Sequence, residues 1–172
     1  MLDELLEHEV PRYSPRCEVR DAVVEDVYAL VENLREADRK EITDLGVKPK
    51  RAIYRAFRNS LWSRTAFVDD EIAAMWGLCV GMRPGVSALS PLAVPWLHTT
   101  PAAERIPLSF VKIGKQELLR MRANRRLLES FVAADYPKAI KFIRLIGFTV
   151  EAPVAIGDNG ARFCRFHLGF DA

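Results

Sequence analysis

A chain of 172 residues, 49% hydrophobic and 28% charged, is most simply one globular domain with a real core. Its net charge of +2 excludes an argument for nucleic-acid binding from charge alone. Three cysteines (Cys17, Cys79, Cys164) without a Cys-x-x-Cys pairing, and three scattered histidines (His8, His98, His167), exclude a disulfide scaffold and define no metal site.

In chain order, residues 1–16 read as an N-terminal arm: a short amphipathic turn with Leu2, Leu5 and Leu6, stopped by Pro11 and Pro15. The acidic start, with Asp3, Glu4 and Glu7, is opposite in sign to a signal peptide. The weakly polar run Val86–Leu97 is too short, and too interrupted by Pro91 and Pro95, to span a membrane. A soluble domain over 17–172 is therefore expected. Its first strand covers Cys17–Ala22, followed by one helix over about Val24–Leu45 with Val27, Leu30, Val31 and Leu34 at helical spacing. Continued along that helix, the apolar stripe meets Arg35, Asp38 and Glu41. These charges fit either a solvated helix end or an inward-facing polar cluster at the mouth of a site.

A second helix is expected over Pro49–Ser60, with a basic outer face of Lys50, Arg51, Arg55 and Arg58. Two strands follow, Ser63–Asp69 and Ile72–Gly81, joined by a hairpin at Asp69-Asp70-Glu71, with Gly77 a candidate bulge. A strand over Ala93–His98 precedes a helix over Pro107–Ala123, expected to turn Leu108, Val111, Leu118 and Met121 inward. Strand Leu127–Val132 leads to a helix that Pro137 can open and Gly147 can close. Strands Thr149–Ala155 and Arg162–Phe170 flank a turn at Gly157–Gly160.

The stretch Arg126–Phe148, with Ala139, Gly147 and Phe148 in place, resembles the C-terminal half of the GNAT (GCN5-related N-acetyltransferase) fold, and Val19-Arg20-Asp21-Ala22 with Asp26 is similar to its usual opening. The resemblance implies an α/β (α+β) domain with a mixed, mostly antiparallel sheet flanked by helices, in the order β-α-α-β-β-β-α-β-α-β-β. It also implies where acetyl-CoA chemistry would sit. The phosphate loop of such enzymes is glycine-rich, but the corresponding Thr99–Pro107 has no glycine, two prolines and Glu104. The position of the usual proton-donating tyrosine is Ile143, and Tyr136 stands where Asn is usual. Weak catalytic candidates are Glu41, Glu129 and Tyr136; weak cofactor contacts are Thr99, Thr100 and Arg105.

The run Asn33–Ile42 and the Trp-bearing strand Pro95–Thr100 resemble GNAT-like tailed-phage proteins of the Gp13 or internal virion protein A type. That resemblance implies a virion structural or assembly protein without an established catalytic residue. It implies location in the virion or host cytoplasm, and other virion proteins as partners, reached through the N-terminal arm and homo-oligomer contacts. On this reading no cofactor and no metal are expected, no membrane segment is present, and nucleic acid is not indicated. The alternative is an acyl-CoA-dependent N-acyltransferase with a divergent cofactor site, using acetyl-CoA.

Overall fold

Asp26 ties the start of the fold together. Its carboxylate takes both guanidinium nitrogens of Arg20 at 2.7 Å, the Val23 N–H at 3.0 Å and the Thr65 hydroxyl at 2.8 Å. Burial raises this carboxyl, but Arg20, the Val23 N–H and Thr65 outweigh it and hold the group below the usual carboxylate range. One side chain thus joins strand β1 (Cys17–Asp21), helix α1 (Val24–Glu32) and strand β2 (Ser60–Val68).

In the computed structural model, which describes residues 14–81, 87–156 and 159–169, the remaining elements are α2 (Glu36–Asp44), α3 (Pro49–Arg58), β3 (Glu71–Cys79), β4 (Leu92–Thr99), a 3-10 turn (Pro101–Arg105), α4 (Pro107–Asn124), β5 (Leu127–Ala133), α5 (Pro137–Ile146), β6 (Thr149–Ala155) and β7 (Arg162–Leu168). The expected mixed, mostly antiparallel sheet is present, with seven strands in the order β1-β2-β3-β4-β5-β7-β6. Nearly all of the expected N-terminal arm, and part of the 157–160 turn, lie outside the described residues. No helix among the described residues is long and apolar enough to cross a membrane.

The single helix expected over 24–45 is two. It breaks at Asn33–Arg35, where Leu34 turns into the core and the Arg35 N–H donates 3.0 Å to the Thr99 carbonyl at the end of β4. A tertiary hydrogen bond has outcompeted helix propagation and redirected α2 across the end of the sheet. Helix α4 also differs from expectation: Leu108 is 86% exposed, because the inward face runs through Phe110, Glu117, Leu118 and Met121.

The sheet is nearly cut in two. Strands β4 and β5 run parallel but pair only at Leu92–Leu127 and Ala93–Leu128. The Thr99 backbone turns away from β3, as its bonds to Asp38 and Arg35 show, so by strand alternation Leu97, Pro95 and Ala93 also face β5. Pro95 therefore falls where the next ladder N–H is due and has none to give. The strands diverge from there. Helices α1 and α3 cover one face of the N-terminal half around Val27, Leu30, Ile53 and Met75, and α4 and α5 pack on the other side around Trp76, Leu118, Met121 and Phe148.

Close approaches that shape the site occur at Gly114 and Gly77. A Cβ at Gly114 would lie 2.8 Å from the Phe142 ring, so α4 and α5 cross with no room for a side chain. Gly77 sits opposite the β2 bulge between Ser60 and Ser63. A Cβ there would meet the Trp62 carbonyl and the Trp96 indole nitrogen at 2.8 Å and the Ser60 hydroxyl at 2.9 Å, displacing the Trp96–Ser60 hydrogen bond. Gly77→Ala is expected to destabilise the chain by about 1–3 kcal/mol, measured by urea denaturation.

Candidate active site

The divergence of β4 and β5 opens a cavity of about 480 Å³ that reaches both sheet faces, lined by α2 and α3 residues on one side and by α4 and α5 on the other. Most of the wall is apolar, including Trp76, Leu97, Phe110, Leu118, Ile143 and Phe148. Glu117 on α4 lines the wall with its carboxylate accepting the Trp76 indole N–H at 3.0 Å, and a cluster of polar groups gathers where α2 meets the ends of the two strands.

Asp38 and Glu41 are three residues apart and share one face of α2. Asp38, 3% exposed, accepts the Thr99 N–H at 3.2 Å, the Thr99 hydroxyl at 2.9 Å and the Tyr136 hydroxyl at 3.0 Å. Glu41 accepts the Ala133 N–H at 2.6 Å. One carboxylate caps the end of β4 and the other caps the end of β5. The helix is a wedge, and its two acids occupy backbone donors that a continuous ladder would have used.

The surrounding groups are tuned by this arrangement. Burial pushes the Glu41 carboxyl above the usual range, with Asp38 and Asp135 adding to the effect while the Ala133 N–H and His98 oppose it. Burial, then the Asp38 charge, pushes the Tyr136 phenol up to about 12. Arg35 donates to the Tyr136 hydroxyl at 3.2 Å and to the Thr100 carbonyl at 3.4 Å. It also lies 3.7 Å from Glu104, which Lys138 approaches to 3.3 Å. Glu104, the acid of the β4–α4 turn, thus has two cations beside it.

The structure brings Arg35, Asp38, Glu41, Thr99 and Tyr136 to the cavity. Thr100 lies just beyond, its hydroxyl donating to the Ile72 carbonyl at 2.6 Å and accepting the Ala102 N–H at 3.2 Å. Arg105 turns away to the β2–β3 hairpin, bonding Glu71 at 2.9 Å and approaching Asp69 to 3.7 Å. Glu129 is buried against Arg165 at 2.8 Å and is not part of the cavity wall. Sequence reasoning passed over His98, whose Nδ1 lies 3.5 Å from Asp38 without the alignment of a hydrogen bond. It also passed over Lys138 and the open backbone edge at Leu97. Alternation along β4 would have placed His98 beside the expected cluster; a backbone edge leaves almost no mark on side-chain identity.

No protein-family profile matches this chain, and no curated protein matches it. Solved structures do. An N-acetyltransferase from Staphylococcus aureus Mu50 aligns with TM-score 0.69 at 15% identity, over 89% of this chain and 98% of that one. A GNAT-superfamily phosphinothricin acetyltransferase from Sinorhizobium meliloti, in complex with acetyl-CoA, aligns with TM-score 0.65 at 18% identity, over 89% of each chain. A protein from Salmonella typhimurium, solved with its cofactor acetyl-CoA, aligns with TM-score 0.61 at 15% identity, over 90% and 94%. The chain has the GNAT fold.

Two of these GNAT-fold neighbours carry acetyl-CoA, which overturns the expectation that no cofactor is involved. That expectation followed from the phage-type resemblance, the glycine-poor loop and Ile143 at the tyrosine position; the groove beside the loop is nevertheless open. Nothing in the comparisons supports the resemblance to Gp13-type phage proteins or a virion role.

Two measurements test the wedge. Asp38→Ala leaves the Thr99 N–H, Thr99 hydroxyl and Tyr136 hydroxyl without their shared acceptor, and is expected to cost about 3 kcal/mol or more. Glu36→Ala, at an exposed position, should stay within about 0.5 kcal/mol. Equal melting temperatures would show that the Asp38 network contributes nothing. Separately, the Tyr136 phenol lies above the ordinary value of about 10, so its contribution to stability is complete below pH 10 and lost as pH rises through about 12. The ultraviolet phenolate titration should show a late component that Tyr136→Phe removes.

Proposed function

We propose that this chain is an acyl-CoA-dependent N-acyltransferase, with the acyl donor in the β4–β5 opening and Glu41 as the general base. The observation that carries the reading is the pair of diverging strands with their ends capped by Asp38 and Glu41, leaving an open groove and a raised carboxyl at its polar end. The fold it shares with acetyltransferases supports it.

The residues present fit such a cofactor in its extended arm. The Leu97 N–H and C=O face the opening beyond the last β4–β5 pair, so an amide-bearing chain can add to this edge by main-chain hydrogen bonds, while apolar walls cover its methylenes. The phosphate end is held differently from a glycine-rich loop. Pro107 starts α4 without an N–H, and the N–H groups of Leu108 and Ser109 precede the helix's first i→i−4 bond, from Phe110 to Ile106. Lys138 stands on the cavity rim as a cation.

Acyl-CoA, when bound, supplies an acyl group activated as a thioester. Glu41 would take the proton of the incoming ammonium, so that the free amine attacks the acyl carbon; as the C–N bond forms the C–S bond breaks, and the thiolate leaves with the proton that the newly bonded nitrogen sheds. Its raised carboxyl is a better proton acceptor than an ordinary one at neutral pH. Tyr136 has its hydroxyl proton committed to Asp38, and with Arg35 it fixes the wedge rather than delivering that proton elsewhere.

Calorimetry with acetyl-CoA should detect saturable binding to the full chain. Glu41→Gln is expected to lower kcat/KM by about 100-fold with acetyl-CoA affinity preserved. In the parent chain, activity should rise with pH through a group above the ordinary Glu value of about 4.3, because only the carboxylate form accepts the proton. Absence of acetyl-CoA binding would sink the proposal; full activity in Glu41→Gln would remove Glu41 from it.

A further inference from the structure

The two ends of the cavity have different chemistry. On α2, Asp38, Glu41, Ile42 and Leu45 follow the i, i+3, i+4, i+7 pattern of a single helix face, and all four line the cavity. The face is acidic at its N-terminal end and apolar at its C-terminal end. Val47, Ala52 and Trp96 continue the apolar part on the α2–α3 side. Leu45 and Val47 are 47% and 37% exposed, so this is an open apolar rim leading inward to a carboxylate. Of the two acids on this helix face, Asp38 is occupied by Thr99 and Tyr136, which leaves Glu41 to face a cation at this end; Glu117, the acid on the α4 wall, is bonded to the Trp76 indole N–H at 3.0 Å.

We infer that the acceptor is a small primary amine borne on an apolar body, aromatic or branched aliphatic, and that Leu45 and Val47 recognise that body. The ammonium is drawn to Glu41, and the body is removed from water against the rim. A polyamine fits poorly, because its second charge would lie against Ile42, Leu45 and Val47 with no carboxylate among these rim residues to meet it. A free amino acid fits poorly as well. The cavity-lining guanidinium of Arg35 is already taken up by Tyr136, the Thr100 carbonyl and Glu104.

The inference rests on the acyl-transfer reading for the reaction, but recognition of the amine can be measured apart from it. Phenethylamine and spermidine serve as probes, titrated calorimetrically into the full chain with and without acetyl-CoA. Phenethylamine is expected to bind about tenfold more tightly than spermidine. Leu45→Asp and Val47→Asp should each weaken phenethylamine by about tenfold and leave acetyl-CoA affinity unchanged. Both positions are exposed, and Leu45→Asn gives a milder variant if either aspartate lowers the melting temperature. Spermidine binding as tightly as phenethylamine, or variants that bind phenethylamine like the parent, would overturn the inference while acetyl-CoA binding kept the acyl-transfer reading intact. Phenethylamine binding with no acetyl-CoA binding would do the reverse.

Discussion

Everything at the centre of this molecule depends on a ladder that stops. Two parallel strands that paired along their whole length would close the sheet and leave no cavity. The interruption starts at Pro95, which has no N–H to offer, and is held by α2, whose two carboxylates take the N–H groups of Thr99 and Ala133. Burying carboxylates is costly unless their oxygens are satisfied, and unpaired buried N–H groups are costly too. Each solves the other's difficulty. The opening is therefore a stable state of the backbone and not a gap left by poor packing.

The same interaction organises the electrostatics. Asp38 meets three hydrogen-bond donors in a buried place, and its presence raises the phenol of Tyr136 and contributes to raising Glu41. Arg35 and Lys138 offset Glu104 at the next turn. The result is a compact polar end on a mostly apolar cavity, in which Glu41 is the carboxylate left in a state suited to accepting a proton.

Much of the scaffold was legible in the sequence, because it is written in local signals. Pro137 opens α5, and Gly147, at φ +123, closes it. Arg20 and Asp26 fall where β1 and α1 need a mutual tie, and Asp69-Asp70 makes a two-residue hairpin turn with both residues at positive φ. The charges at Arg35, Asp38 and Glu41 were visible as an anomaly on an apolar stripe, but their purpose was not. Their partners are backbone groups of strands some 60 to 90 residues away. For the same reason the helix break at Asn33–Arg35 had no warning, since neither Gly nor Pro marks it. The groove itself left little trace in the sequence, because the larger part of it is made of strand edge and apolar wall and not of a glycine motif.

Pro95 has one more consequence. Unpaired strand edges normally lie at the rim of a sheet, where they offer a template for intermolecular pairing and must be guarded by charge or by covering elements. Here two such edges, at Leu97 and beside Phe131, lie in the middle of the sheet, between α2 on one side and the tightly crossed α4 and α5 on the other. The helices on either side of the opening shield these edges from side-on pairing with another sheet. The fold keeps a pair of sticky edges available to a slender guest while withholding them from aggregation.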